Sequence, residues 1–182
     1  MNEVFFTADT HFGHRMIATK IRGFSSSEEM DEVLIQKWNS IVKPGDRVYH
    51  LGDFSLTRDM IAAKELAARL NGQIFLIRGN HENVAEHKDI APRFVWIKDY
   101  FFLKIDDQQI ALSHYAHRVW NKSHHGSWHL YGHSHGSLKD DPNSRSFDVG
   151  VDCWGYRPLS FDEVNTVMSS KKFVPIDHHV GE

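Results

Sequence analysis

The chain has 182 residues, of which 41% are hydrophobic and 25% charged, and this balance predicts one globular domain with a proper core. Its formal net charge of −3 gives no global basic surface and argues against strong nonspecific binding to long duplex DNA. The single cysteine, Cys153, excludes a disulfide framework and a cysteine-rich zinc site. With no signal peptide and no apolar run of membrane length, we expect a cytoplasmic protein. The 14 histidines are the unusual feature.

Strands and helices alternate in the prediction for the first half of the chain. Strands are expected at residues 4–9, 47–53 and 73–80, and helices at 25–42 and 57–70. The first helix has a serine cap, early acidic residues and apolar side chains at helical spacing. This alternation favours a parallel sheet with right-handed crossover connections.

The pattern changes after Arg93 to short aromatic-rich segments, which favours a more antiparallel arrangement. These segments are RFVWI, YFFLKI, QQIALSHY and WHLYGHS. A late helix is predicted at 160–171, opened by a capping box of Ser160 and Glu163. No repeat or linker divides the chain, so residues 1–182 are expected to form a single α/β domain.

Most of the predicted strands end in side chains that can bind a metal. In chain order the motifs are Asp9-Thr10-His11, Gly52-Asp53, Gly79-Asn80-His81, His114 and Gly132-His133-Ser134-His135. Because the carboxyl ends of strands form the ligand crevice of open α/β sheets, these groups are expected at one rim. Carboxylate oxygen with imidazole nitrogen, without thiolate, favours manganese, iron or zinc over magnesium.

Each motif taken alone has an ordinary structural explanation. Asp9 could cap a helix with His11 at the surface, Gly52-Asp53 is common turn chemistry, and His114 could be a satisfied core histidine. Two histidines around one serine are harder to assign to packing, and in a loop after Gly132 both can turn inward. The order and strand-end location of all five motifs together indicate a metal site.

In this order the motifs resemble those of the calcineurin-like metallophosphoesterases, over roughly residues 4 to 155. The chain is most similar to the small, uncapped bacterial and phage-type members, in which a THFGH stretch follows the first strand and a GSWHLYGHSHG-like segment comes late. The resemblance implies an α/β fold with two packed mixed β-sheets flanked by helices, a four-layer α/β/β/α sandwich without a cap domain.

The resemblance also implies a centre of two divalent ions, with manganese expected and iron, zinc or nickel as alternatives. The implied ligands are Asp9, His11, Asp53 and His135 for one ion, and Asn80, His114 and His133 for the other, with Asp53 bridging. Two such ions lower the pKa of a bound water towards 7, so that hydroxide attacks phosphorus in line. His81 would protonate the leaving oxygen or stabilise the phosphorane.

Other residues are candidate substrate contacts, each of which also has an ordinary structural explanation. His14 and Arg15 could reach a phosphate, although a solvated helix start explains them equally well. The basic, aromatic-rich segment 117–125 could hold a nucleobase by stacking, although a solvated loop explains it too. Cys153 and Trp154 could line the site, but a buried small apolar group is the simpler role for the thiol.

Two further features are given structural interpretations. Arg78 precedes Gly79 and could be structural rather than a substrate contact. The C-terminal stretch KKFVPIDHHVGE is interpreted as an edge strand and tail, although His178 and His179 could bind a metal.

The predicted activity is that of a dinuclear-metal phosphodiesterase acting on a nucleotide or a nucleic-acid-derived substrate. The segment GDFSLTRD lacks the Arg-Gly of the serine/threonine phosphatase branch, and Glu82 after His81 does not restore that branch. No insertion is long enough for a lid, and an open centre admits a diester. The alternatives are a phosphomonoesterase for a small metabolite and a non-catalytic scaffold, which would be expected to lose ligands.

Overall fold

The computed structural model describes residues 2–57, 59–82 and 85–177. His178 and His179 therefore lie outside the described residues. The helices are α1 (Ser27–Ile41), α2 (Met60–Arg69) and α3 (Phe161–Ser170). The strands are β1 (Val4–Thr7), β2 (Arg47–His50), β3 (Gln73–Ile77), β4 (Phe94–Lys98), β5 (Tyr100–Ile105), β6 (Gln108–Ser113), β7 (Trp128–Tyr131), β8 (Ser146–Asp148) and β9 (Leu159–Ser160).

The strands form two mixed sheets. The first has the order β4-β3-β2-β1-β9, in which β1 to β4 are parallel and β9 runs antiparallel to β1. The second has the order β5-β6-β7-β8, in which β5 and β6 are antiparallel and β6, β7 and β8 are parallel. The expected α/β fold of two mixed sheets with flanking helices is confirmed.

The alternation of side chains along β1 separates two hydrophobic cores. Phe5 packs in the core that the first sheet shares with α1 and α2, together with Trp38 and Ile74. Phe6 points to the opposite face, into the core between the two sheets, where Leu130 of β7 and Met168 of α3 also lie. Successive residues of a strand face opposite sides, so this buried strand is apolar on both faces.

Side-chain caps fix where the helices begin. The Ser26 side chain accepts a hydrogen bond from the backbone N–H of Glu29 at the start of α1. At α3 the predicted capping box of Ser160 and Glu163 is present. The hydrogen bonds from Arg157 to Glu163 are the main reason that the pKa of Glu163 falls to about 2, so the pair stays charged at neutral pH.

The prediction of a more antiparallel second half is wrong for most of the strands there. β4 adds to the parallel sheet beside β3, and β6, β7 and β8 are parallel to one another. The alternation of side chains gives a strand's faces but not its direction. The long connection 114–127 returns the chain to the start of β7, as a parallel crossover requires.

Two other structural interpretations are also wrong. The stretch 171–177 forms no strand and instead donates two backbone hydrogen bonds, from Lys172 to Pro142 and from Val174 to Asn143. Cys153 is exposed rather than buried, because it ends a short helical turn whose side chains are partly turned to solvent. None of the helices in the described ranges is long and apolar enough to cross a bilayer.

Ile74 of β3 provides a test of the core. Its side chain is 0% exposed between the first sheet and the helices, whereas Ile61 of α2 is 73% exposed. We expect Ile74→Ala to lower the free energy of unfolding by about 2–5 kcal/mol because a cavity replaces buried apolar contacts. Ile61→Ala, the matched control, should change it by no more than about 0.5 kcal/mol in denaturant unfolding. Equal losses in the two variants would contradict this packing.

Candidate metal centre

The polar motifs converge because their strands are neighbours with the same direction. β1, β2 and β3 are adjacent and parallel, and the segments carrying Asp9, Asp53 and Asn80 follow their carboxyl ends. β6 and β7 are likewise adjacent and parallel, so His114 and His133 also emerge at one edge. An isolated bridge between Ala8 and Gly150 then links the end of β1 to the end of β8, bringing the two sheet edges together.

Two groups of three side chains could each hold a metal ion. We call Asp9, His11 and His135 the first triad, and Asp53, His114 and His133 the second triad. Within each triad the ligand-competent atoms lie within 4.8 Å of one another. Both triads mix carboxylate oxygen with imidazole nitrogen, a donor set that suits manganese, iron or zinc.

Asp53 and Asn80 complete the arrangement. Oδ2 of Asp53 lies 3.6 Å from Nε2 of His11 and 3.6 Å from Nε2 of His114, so it is placed between the triads. Oδ1 of Asn80 lies 3.0 Å from Nε2 of His114 and 2.9 Å from Nδ1 of His133. The structure thus brings together all seven candidate ligands that the sequence singled out.

Five of these ligands sit in a backbone conformation that side chains rarely adopt. The φ angles are 58° at Asp9, 50° at His11, 56° at Asp53, 67° at His133 and 48° at His135. Left-handed backbone at a residue other than glycine is costly and persists only where surrounding contacts enforce it. Here the loops after β1 and β2 brace each other through backbone hydrogen bonds of 2.9 Å and 3.0 Å. Such concentrated strain is typical of a functional site.

Glycines before the ligands let the carboxylates approach the backbone. A Cβ on Gly79 would lie 2.3 Å from Oδ1 of Asp53, and one on Gly132 would lie 2.7 Å from Oδ2 of Asp9. With no side chain there, Oδ1 of Asp53 accepts the backbone N–H of His81 at 2.8 Å. The carboxylate is thereby fixed by one oxygen and presents the other to the histidines.

Hydrogen bonds select the nitrogen that each histidine can offer. Nδ1 of His114 donates to the carbonyl oxygen of Leu51 at 2.8 Å, and Nδ1 of His135 donates to Oδ2 of Asp152 at 2.6 Å. Because a carbonyl oxygen can only accept, the His114 proton must sit on Nδ1. In both rings this leaves Nε2 as the nitrogen that faces the site and is available to a metal ion.

Asp152 is itself held by a buried arginine. The Arg22 side chain, 1% exposed, donates to both oxygens of Asp152 at 2.8 Å and to the carbonyl oxygens of Asp9 and Thr10. Burial alone would raise the pKa of Asp152, but hydrogen bonds from His135 and Arg22 hold it well below its ordinary value. The carboxylate therefore stays charged and orients the His135 ring.

The sequence analysis missed Asp152 and Arg22. A signal for Asp152 exists, because it follows the short strand β8 just as the other polar residues follow their strands. That strand was not predicted, so the position was not recognised as a strand end. Arg22 lies far from Asp152 in sequence, and no local pattern marks it.

The charges of the site fit a divalent cation. Burial, followed by the nearby carboxylates of Asp148 and Asp53, raises the pKa of Asp9 well above its ordinary value. Burial and the neighbouring His135 lower the pKa of His11 to about 2, so its ring is neutral. Crowded buried carboxylates beside neutral imidazoles are stabilised by a cation, which relieves the repulsion and uses the free lone pairs.

The structure places the predicted catalytic residue, His81, and the predicted substrate contacts, His14 and Arg15, in different surroundings. The rings of His81 and His14 lie 5.8 Å and 5.6 Å from the ring of His11, on the border of the site. Burial lowers the pKa of His14, and its Nδ1 accepts the backbone N–H of Ile17 at 3.3 Å. Arg15 is exposed beside it and stays a predicted substrate contact.

Arg78 and Glu82 have structural roles. Arg78 forms ion pairs with Glu86 and Asp99, which confirms its structural interpretation. Glu82 is 3% exposed, and its Oε1 accepts the backbone N–H of Phe54 at 2.7 Å. Burial raises the pKa of Glu82 to about 8. It therefore ties the loop after β3 to the loop after β2.

Comparison with known proteins agrees with this geometry. The family model of the calcineurin-like phosphoesterase superfamily domain matches residues 3–147. The chain is 33% identical over 181 residues to an uncharacterized protein of Methanocaldococcus jannaschii, with 96% of each covered. It is 28% identical over 194 residues to the gene 66 protein of Mycobacterium phage L5, covering 90% of this chain and 93% of that one.

A solved structure shares the fold. A protein of unknown function from Aquifex aeolicus matches with a TM-score of 0.70 at 20% identity, covering 92% of this chain and 100% of that one. The chain belongs to the calcineurin-like phosphoesterase superfamily. The phage relative also agrees with the predicted similarity to phage-type members.

The support that Asp152 gives His135 leads to a test. Asp152→Asn keeps the shape but removes the charge that orients the ring, and we expect metal affinity to fall by about 10- to 100-fold. Asp107→Asn, at an exposed turn, is the matched control and should bind metal as the unaltered chain does. The measurement is calorimetric titration of metal-stripped protein with Mn²⁺. Unchanged affinity in Asp152→Asn would show that the contact does not support metal binding.

Proposed function

We propose that the protein is a dinuclear-metal-dependent phosphodiesterase acting on a nucleotide or a nucleic-acid-derived substrate. The observation that carries this proposal is the position of Oδ2 of Asp53, 3.6 Å from a histidine of each triad. A carboxylate has two oxygens and a negative charge, so one placed between two ligand sets is suited to bridge two cations. Manganese is the proposed metal, with iron, zinc or nickel as alternatives.

The ligand assignment follows from the contacts. The first triad with Asp53 would hold one ion, and His114, His133 and Asn80 with Asp53 would hold the other. Two divalent ions there would supply Lewis acidity, which lowers the pKa of water and neutralises charge on the phosphoryl oxygens. The protein's contribution is to fix the ligands before substrate arrives, through the braced loops and the oriented rings.

His81 is the proposed proton donor to the leaving oxygen. Its backbone N–H is fixed by Oδ1 of Asp53 at 2.8 Å, while its ring is partly exposed beside His11. The ring thus has a fixed attachment at the site and remains open to a substrate. A ring N–H of an imidazole side chain can give its proton to an alkoxide as the bond to phosphorus breaks.

The preference for a diester is proposed from the openness of the site. Asn80 and His133 are both exposed, so the second triad reaches the surface directly. A diester carries substituents on two phosphate oxygens and needs room on both sides of phosphorus. We propose that residues 1–182 form one domain without a cap, which leaves that room.

The direct test compares two substrates on metal-stripped protein with Mn²⁺ restored. Bis-p-nitrophenyl phosphate should be turned over faster than p-nitrophenyl phosphate, and chelator should abolish both. Asp53→Ala should lose bound metal and activity together, whereas Asp107→Ala, at an exposed turn, should retain both. Faster monoester turnover would favour the phosphomonoesterase alternative. Full activity of Asp53→Ala would refute the proposal, and two bound ions without turnover of either ester would favour a scaffold.

His81→Ala separates the chemical role from metal binding. The variant should keep both ions but lose about 10²- to 10⁴-fold in kcat with alkyl leaving groups, which need a proton. With p-nitrophenol as the leaving group the loss should be much smaller. Turnover of a series of diesters with leaving groups of rising pKa measures this dependence. Loss of metal in His81→Ala would instead make His81 a ligand.

A further inference from the structure

A groove of about 640 Å³ runs over the outer side of the second sheet. Its walls are residues 116–120, 138, 139, 141, 143–146 and 173–177, and Ser123 and Tyr131 also contribute to the lining. None of these residues belongs to the two triads or to the residues proposed to act on the phosphate. The groove is therefore a second feature of the molecule that the proposed chemistry leaves unexplained.

Two of the segments that line the groove begin close in the chain to residues of the candidate metal centre. One wall begins at Ala116, just after the ligand His114, and another begins at Leu138, shortly after the second histidine of the Gly132 loop. Tyr115, the neighbour of Ala116 in the chain, has its ring 5.0 Å from the ring of His114 and 4.7 Å from that of His133. The groove therefore begins one residue along the chain from a side chain that packs on two candidate ligands.

Apolar and aromatic side chains line the groove although they meet solvent. Phe173 is 39% exposed, Val119 is 45% exposed and Leu138 is 49% exposed. The half-buried ring of Trp120 is also in the lining, whereas Tyr131, 4% exposed, only closes the bottom of the groove. Flat rings along a cleft are typical of sites that stack successive bases of a single strand, since every base has a π face.

Cationic groups accompany these rings. Arg118 and Lys139 are exposed in the lining, and the Arg145 guanidinium stands 5.0 Å above the Phe173 ring. Exposed guanidinium and ammonium groups such as those of Arg118 and Lys139 pair with phosphate oxygens through charge-assisted hydrogen bonds.

The two carboxylates of the lining are already engaged. Oδ1 of Asp141 accepts the backbone N–H of Asn143 at 2.9 Å, and Oδ2 of Asp177 accepts the Ser123 hydroxyl at 2.7 Å. Three cationic side chains against two carboxylates give the lining a formal charge of +1, although the whole chain carries −3. The sign of the charge in the groove is thus the one that a polyanion requires.

We propose that this groove binds the single-stranded part of an oligonucleotide whose scissile phosphodiester lies at the candidate metal centre. The inference rests on the proposed phosphodiesterase function and names its substrate class. A mononucleotide with its one phosphate at the triads would leave the cations of the groove unused. A strand of several nucleotides would pair its further phosphates with Arg118, Lys139 and Arg145 and stack its bases on the rings.

The test uses the double variant Arg118→Glu/Lys139→Glu on the full chain. The matched control is Lys43→Glu/Lys64→Glu, which changes the net charge equally at exposed positions outside the groove. For a single-stranded hexanucleotide with Mn²⁺, the groove variant should show a KM raised at least tenfold. Its turnover of bis-p-nitrophenyl phosphate, which is too small to fill the groove, should be unchanged. The control should alter neither.

Binding without turnover gives an independent readout. The anisotropy of a fluorescein-labelled hexanucleotide is measured in chelator over a range of salt, and the groove variant should bind more weakly with a shallower salt slope. Phe173→Ala should weaken binding with the salt slope unchanged, because stacking neutralises no phosphate.

Two results would distinguish a failure of the groove proposal from a failure of the proposed function. Equal hexanucleotide KM and affinity in the groove and control variants, with diester turnover intact, would overturn the groove and leave the proposed function standing. Absence of turnover of the small diester by the unaltered chain would overturn the proposed function, whereas the anisotropy comparison would still decide the groove.

Discussion

The arrangement of the site depends on the Asp53 carboxylate and its place between two groups of histidines. One oxygen accepts a backbone N–H from the loop after β3, and the other faces His11 and His114 at 3.6 Å. That position requires a left-handed backbone at Asp53 and no side chain at Gly79. The parallel pairing of β1, β2 and β3 makes it attainable, because it brings three loops to one edge with their backbones hydrogen-bonded together.

A buried ion pair between Arg22 and Asp152 supports the His135 side chain. Arg22 is almost fully buried, yet it is paired with Asp152 and with backbone carbonyls of the loop after β1. A buried cation with every donor directed at an acceptor favours one geometry over others, and here that geometry sets the His135 ring. The second sheet contributes two ligand-bearing loops at the same edge, and the segments that continue from them form the groove. The positions of the candidate metal centre and of the proposed binding groove thus follow from the same topology.

Much of this could be predicted from the sequence, for identifiable reasons. Local sequence patterns predicted the main elements and their order along the chain. They are the apolar runs that form β1, β2 and β3 and the capping box that begins α3. The positions of the candidate ligands were recognisable because polar residues follow buried strands. Strand direction in the second half was not predictable, because the alternation of side chains is the same in parallel and antiparallel strands. Asp152 and Arg22 were missed because β8 is short and their contact spans a long stretch of chain. The exposure of Cys153 depends on a turn that no spacing marks.

The most direct test is a crystal structure of the protein loaded with Mn²⁺, with anomalous scattering used to locate the ions. The proposed centre predicts two peaks about 3.5–4 Å apart, one beside Asp9, His11 and His135 and the other beside Asn80, His114 and His133. The Asp53 carboxylate should contact both. A single peak, or two peaks that Asp53 does not join, would contradict the proposed dinuclear centre.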